Sequence, residues 1–105
     1  MNNYVKKTVD YINTNYMKEL YVHEIADMLN IDRAYLYRLF KDKMKLSVQQ
    51  YILSVRMEKA ASFLKQDFSV IQTANMVGYT DVFNFSKMFK KIYGLSPAHY
   101  KKARN

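Results

Sequence analysis

A chain of 105 residues is one domain by size, or two very small ones sharing an interface, and its half-hydrophobic composition excludes a disordered tail. Two glycines and one proline are too few for the turns of a β-rich fold, and the absence of cysteine excludes disulfides and thiolate metal sites. Seventeen basic against nine acidic side chains leave a net charge of +8, which points to a polyanionic partner, either nucleic acid or an anionic membrane surface.

An all-α fold is therefore expected. The first helix takes its cap from Asn2 or Asn3, and Val5, Val9, Ile12 and Tyr16 recur at helical spacing. Residues 13–19 are polar and hold a turn. A second helix is expected over 22–29 with Ile25, Ala26 and Leu29 inward, and Asp32 is placed to cap a third over 33–44. Ser47 with Gln50 forms a capping box that opens the longest helix, 47–65. Apolar residues on two of its sides mark it as a connecting beam, roughly 28 Å long at ~1.5 Å per residue. Ser69 caps a helix over 70–77, and Gly78 suits its left-handed exit. Thr80 is the expected cap of the next, with Asp81 in its first turn, and Gly94 ends it after Tyr93. Ser96-Pro97 starts a last short helix, making seven.

Two of these stretches repeat. Ala26 recurs 48 positions on as Ala74, and Phe40 recurs 49 positions on as Phe89, so the second copy carries one extra residue near its turn. Each copy is a short helix, a tight turn and a longer helix with a basic outer face, which is the plan of a helix-turn-helix. In the first copy Leu36, Leu39 and Phe40 point inward, while Ala34, Tyr37, Arg38 and Lys41 form one outward stripe. Arg38 suits the two acceptors of a guanine, Tyr37 a base or phosphate, and Lys41 a phosphate. In the second copy Phe85, Met88, Phe89 and Ile92 are the inward set. Val82, Ser86 and Lys87 face outward with Lys90 close by, and Val82 and Phe83 offer apolar surface to thymine methyls. A helical protein-interaction module and a basic peripheral membrane binder are the alternatives. Two repeats are fewer than a solenoid needs.

The residues also resemble a known family. Ala74-Asn75-Met76-Val77-Gly78-Tyr79, then Phe85-Ser86-Lys87-Met88-Phe89-Lys90, then Gly94-Leu95-Ser96-Pro97-Ala98-His99-Tyr100 is similar to the AraC/XylS family of bacterial transcription regulators. Arg56, Lys59-Ala60 and Leu64 match the pattern of that family's connecting helix. The resemblance covers about Tyr4 to Tyr100 and implies two helix-turn-helix subdomains, 1–46 and 66–105, joined by a helix over 47–65. Each recognition helix would enter an adjacent major groove of double-stranded DNA near a promoter. Such a domain acts as a monomer, with RNA polymerase as a further partner, no cofactor and no catalysis. The chain is then a stand-alone short regulator or a domain of a longer one, whose effector or dimerisation domain it does not include. By position the resemblance implies Ala34, Tyr37 and Arg38, then Val82, Phe83, Ser86 and Lys87, as base-facing residues with Asn84 nearer the backbone, and Arg33, Lys41 and Lys90 complete the expected DNA-binding set. Lys45 replaces a usual glycine, Tyr21 a usual serine or threonine cap, Thr73 a usual isoleucine, and Ala34 a position where larger side chains often reach bases.

The remaining signals are weaker. His23 and His99 lack any paired-ligand spacing, and no glycine-rich phosphate loop or nucleophile motif appears. Arg56 is expected to serve structure rather than DNA. Lys101, Lys102 and Arg104 form a solvated tail with weak attraction to phosphate. No apolar run spans a bilayer and no signal peptide opens at Met1, so a cytoplasmic location is expected.

Overall fold

The computed structural model describes residues 2–104, the side chain of residue 104 excepted. The expectations resting on Met1 and on the Arg104 side chain lie outside the described residues. Seven helices are present among the described residues: α1 (Asn3–Asn15), α2 (Val22–Met28), α3 (Arg33–Met44), α4 (Val48–Lys65), α5 (Val70–Met76), α6 (Val82–Tyr93) and α7 (Pro97–Arg104). They fall into two compact units, Met1–Val55 and Arg56–Asn105, with the division inside α4.

In the first unit the Asn2 carboxamide oxygen accepts from the Tyr4 N–H at 2.9 Å and so starts α1. Val5, Ile12 and Tyr16 are buried, while Val9 is only half-buried. Ile25 and Ala26 of α2, Leu36 and Phe40 of α3, and Val48, Ile52 and Val55 of α4 complete this core. Tyr21 occupies the cap position of α2 without a side-chain cap bond, as its replacement of serine or threonine implies. The expected capping box of α4 is present, Ser47 Oγ accepting from Gln50 N–H at 3.1 Å and Gln50 Oε1 accepting from Ser47 N–H at 2.8 Å.

The second unit buries Met57, Ala60, Ala61 and Leu64 of α4 with Ala74, Val77, Phe85 and Phe89. A second capping box, Ser69 with Gln72, starts α5. Ile92 does not belong to the inward set and is 44% exposed. The last turn of α6 instead turns Tyr93 onto Phe89 at 4.6 Å between ring centroids, and Tyr100 of α7 closes on Phe89 at 5.3 Å. The Tyr93 hydroxyl donates to the Met57 carbonyl at 3.3 Å, and burial pushes this phenol up from its ordinary 10.0. Arg56 lies over the Tyr79 ring at 5.8 Å, which gives it the expected structural role.

The repeat becomes physical at the two turns. Ile31 N–H reaches back to the Ala26 carbonyl at 3.0 Å, and Tyr79 N–H to the Ala74 carbonyl at 2.9 Å. Between them Asn30 and Gly78 take the same left-handed step, φ 57° and 100°. Asp32 and Asp81 then hold the two cap positions. The one extra residue of the second copy is therefore Thr80, and Thr80 is not the cap. The Asp81 carboxylate caps α6, accepting from Phe83 N–H at 2.9 Å and Asn84 N–H at 3.3 Å. Asp32 makes no equivalent bond.

The expected basic tail also needs correction. The Lys101 ammonium donates to the Phe68 carbonyl at 3.0 Å and the Asp67 carbonyl at 3.4 Å, and pairs with the Asp67 carboxylate at 3.3 Å. Those carbonyls belong to the exit from α4, where Asp67 has a φ of 70° and the chain cannot satisfy them by continuing the helix.

Candidate nucleic-acid interface

α3 holds its register by burying Leu36 and Phe40, and that leaves Arg33, Ala34, Tyr37, Arg38 and Lys41 exposed on the other side. Four of these five border one open hollow of about 340 Å³, together with Val22 of α2 and Gln49 of α4. Lys41 lies one turn further along the helix and does not line it. The hollow has two guanidiniums, a phenol and a carboxamide around an apolar part made by Val22 and Ala34. Among the described residues no carboxylate lines it. Such a surface accepts groups rich in hydrogen-bond acceptors, as the edges and backbone of duplex DNA are. Ala34 is short, so it adds to the concavity instead of filling it.

Val22 and Gln49 do not belong to the sequence-derived site. Gln49 lies within the capping box, between Val48 and Gln50, and burial of Val48 next to it turns the amide outward. The periodicity of α4 marks Gln49 as exposed but gives no sign that it stands beside α3.

The second unit repeats the construction on α6. Phe85 and Phe89 are wholly buried, and Phe83, Asn84, Lys87 and Lys90 are exposed. Val82 and Ser86 are half-buried. Phe83 stands out at 83% exposed. Burial pushes the Tyr79 phenol up from its ordinary 10.0, opposed by the Arg56 guanidinium, so this ring stays neutral in the wall behind α6. Neither histidine is buried, and no group of three or more potential metal ligands occurs among the described residues. No helix among them is long and apolar enough to cross a membrane.

Two matched turns, each leading into a helix with an exposed basic stripe, define a helix-turn-helix nucleic-acid-binding domain. Residues 25–103 match the family described as a helix-turn-helix domain. The chain belongs to that family, in its AraC type, whose members are DNA-binding domains of transcription regulators. It is 38% identical over 100 residues to the Msm operon regulatory protein of Streptococcus mutans and 40% identical over 96 residues to the raffinose operon transcriptional regulatory protein RafR of Pediococcus pentosaceus. These matches cover 94% and 90% of this chain but only 36% and 35% of those proteins, so the chain spans about a third of their length. Among solved structures, the C-terminal domain of AraT, a response regulator from Geobacillus stearothermophilus, matches with a TM-score of 0.93 and 31% identity, over 97% of this chain and 86% of that one. Family membership decides for DNA over the interaction-module and membrane readings.

Proposed function

We propose that the chain reads one asymmetric duplex site as a monomer, with α3 and α6 entering successive major grooves. For this purpose it divides into an N-terminal helix-turn-helix over 1–46, a connecting helix over 47–65 and a C-terminal helix-turn-helix over 66–105. Arg33, Ala34, Tyr37, Arg38 and Lys41 form the first contact block. Val82, Phe83, Asn84, Ser86, Lys87 and Lys90 form the second. The regulator so formed works in the bacterial cytoplasm near a promoter, recruiting or blocking RNA polymerase, and it carries out no catalysis. The names of its relatives as operon regulators support this reading. The single observation that carries it is the duplication of the turn and of the exposed basic residues that follow it, Arg33, Arg38 and Lys41 in one unit and Lys87 and Lys90 in the other.

Arg38 and Lys41 sit on one stripe but have different work. A guanidinium can take O6 and N7 of a guanine together, whereas an ammonium one turn away suits a phosphate oxygen. Arg38→Ala is expected to cost about 1–3 kcal/mol on the preferred duplex and to relax preference at one base pair. Lys41→Ala should weaken all duplexes alike and reduce the salt dependence by about one unit of slope. Titrations of both variants on preferred and random duplexes at several salt concentrations separate the two roles. Equal losses on both kinds of duplex for Arg38→Ala would remove the base-reading assignment.

A further inference from the structure

Phe83 stands apart from the other five phenylalanines. Phe40, Phe85 and Phe89 are wholly buried, and Phe63 and Phe68 are half-buried and meet edge to face at 5.7 Å. Phe83 leaves 83% of its surface in water. It is the second residue of α6, and the Asp81 carboxylate fixes the first turn by holding its N–H at 2.9 Å. Ser86 and Lys87, three and four residues on, share its side of the helix. The core gains almost nothing from this ring, which leaves it open to a partner.

A phenyl ring has no group to donate or accept, so it cannot read the N7, O6, O4 or N4 positions along the major groove. The one apolar group presented there is the methyl on C5 of a pyrimidine. Attraction to phosphate accounts for lysines and not for a phenyl ring. We infer that Phe83 is a reader of the pyrimidine C5-methyl group, so that the second unit accepts 5-methylcytosine as well as thymine for this contact. The inference rests on the proposed DNA reading and extends the thymine-methyl contact expected there to one residue, Phe83, and to methylated cytosine. It also makes binding responsive to cytosine methylation at the contacted step.

Two single-group replacements test it on a duplex selected by the whole chain from a random pool. Uracil in place of thymine deletes only the methyl, and 5-methylcytosine in place of cytosine adds only the methyl. A methyl buried against the ring is worth about fourfold in affinity. Replacing each thymine in turn should show a loss of about that size at one or two positions in the block facing α6. With cytosine at such a position, methylation should return a similar factor. Phe83→Ala should abolish both differences, and Phe83→Leu should retain part of them. Both variants should keep the wild-type melting temperature, because the exposed ring supports no core. Tight binding of the selected duplex with no response to uracil at any position overturns the inference and leaves the DNA reading standing. Methyl sensitivity that survives Phe83→Ala overturns it as well. Failure to enrich any sequence from the pool overturns both readings.

Discussion

Lys45 closes α3 with a φ of 67°, a conformation that costs an L-residue about 1–2 kcal/mol through its Cβ. The sequence shows the departure from glycine, and the backbone shows that the glycine geometry is kept nonetheless. Lys45→Gly relieves the strain but adds freedom to the unfolded chain, so a net gain of about 0.5–1 kcal/mol in thermal or urea unfolding is expected. Thr73 is the opposite case, a substitution the core does not accommodate. Its side chain is wholly buried, and its hydroxyl oxygen has no hydrogen-bond partner. Thr73→Val keeps the shape and removes the stranded hydroxyl, and should raise stability by about 1 kcal/mol. An unchanged or lower midpoint in urea would show that the hydroxyl is satisfied in solution. Caps divide in the same way between legible and hidden. Ser47 was legible because its capping box with Gln50 is written in four consecutive residues, and Ser69 because a serine directly precedes an apolar helical run, although its box with Gln72 emerged only in the structure. The choice of Asp81 over Thr80 was not legible, because adjacent residues of similar capping propensity are separated only by where the turn ends.

Among the elements, α7 is tied to its unit by more than its own helical bonds. Pro97 is buried at its start, Tyr100 meets Phe89, and Lys101 holds the exit of α4. The carboxylate of that ion pair is 87% exposed, so solvent screens it and the two carbonyl bonds matter more. Lys101→Ala is therefore expected to cost about 1 kcal/mol in thermal unfolding, and Asp67→Asn much less. Equal costs would mean that the charge pair, not the carbonyl bonds, secures the helix. α6 shows how far periodicity reaches. It placed Phe85 and Phe89 correctly but assigned Ile92 to the same face. The core ends at Phe89, and Tyr93 takes the position over it, a choice that depends on Tyr100 from another helix.

For the whole molecule, the net charge of +8 implies affinity for any duplex that falls steeply as salt rises. On the proposed reading, specificity needs both contact blocks on one piece of DNA. If α3 and α6 both bind, the selected site holds two blocks about 10 base pairs apart without a palindrome. Inserting about 5 base pairs between them should abolish most of the specific affinity, because half a helical turn carries one block to the far side of the duplex. Full affinity for the expanded site, measured beside the original at one salt concentration, would leave a single unit as the reader.

The sequence by itself determined the all-helical fold, the seven helices, the duplicated turn and the family. All of these are written in local terms, since a cap, a helical period and a left-handed exit each involve residues within one or two turns of one another. Even the extra residue of the second copy is countable from Ala26, Ala74, Phe40 and Phe89. The tertiary structure decided which distant residues share a surface. It brought Gln49 and Val22 to the hollow beside Arg38, put Lys101 on the exit of α4, and left Phe83 in water while three other phenylalanines were buried. Those outcomes depend on packing between segments far apart along the chain. A side chain's own neighbours in sequence say whether it points out of its helix, and only the helices packed against that one settle what it meets there.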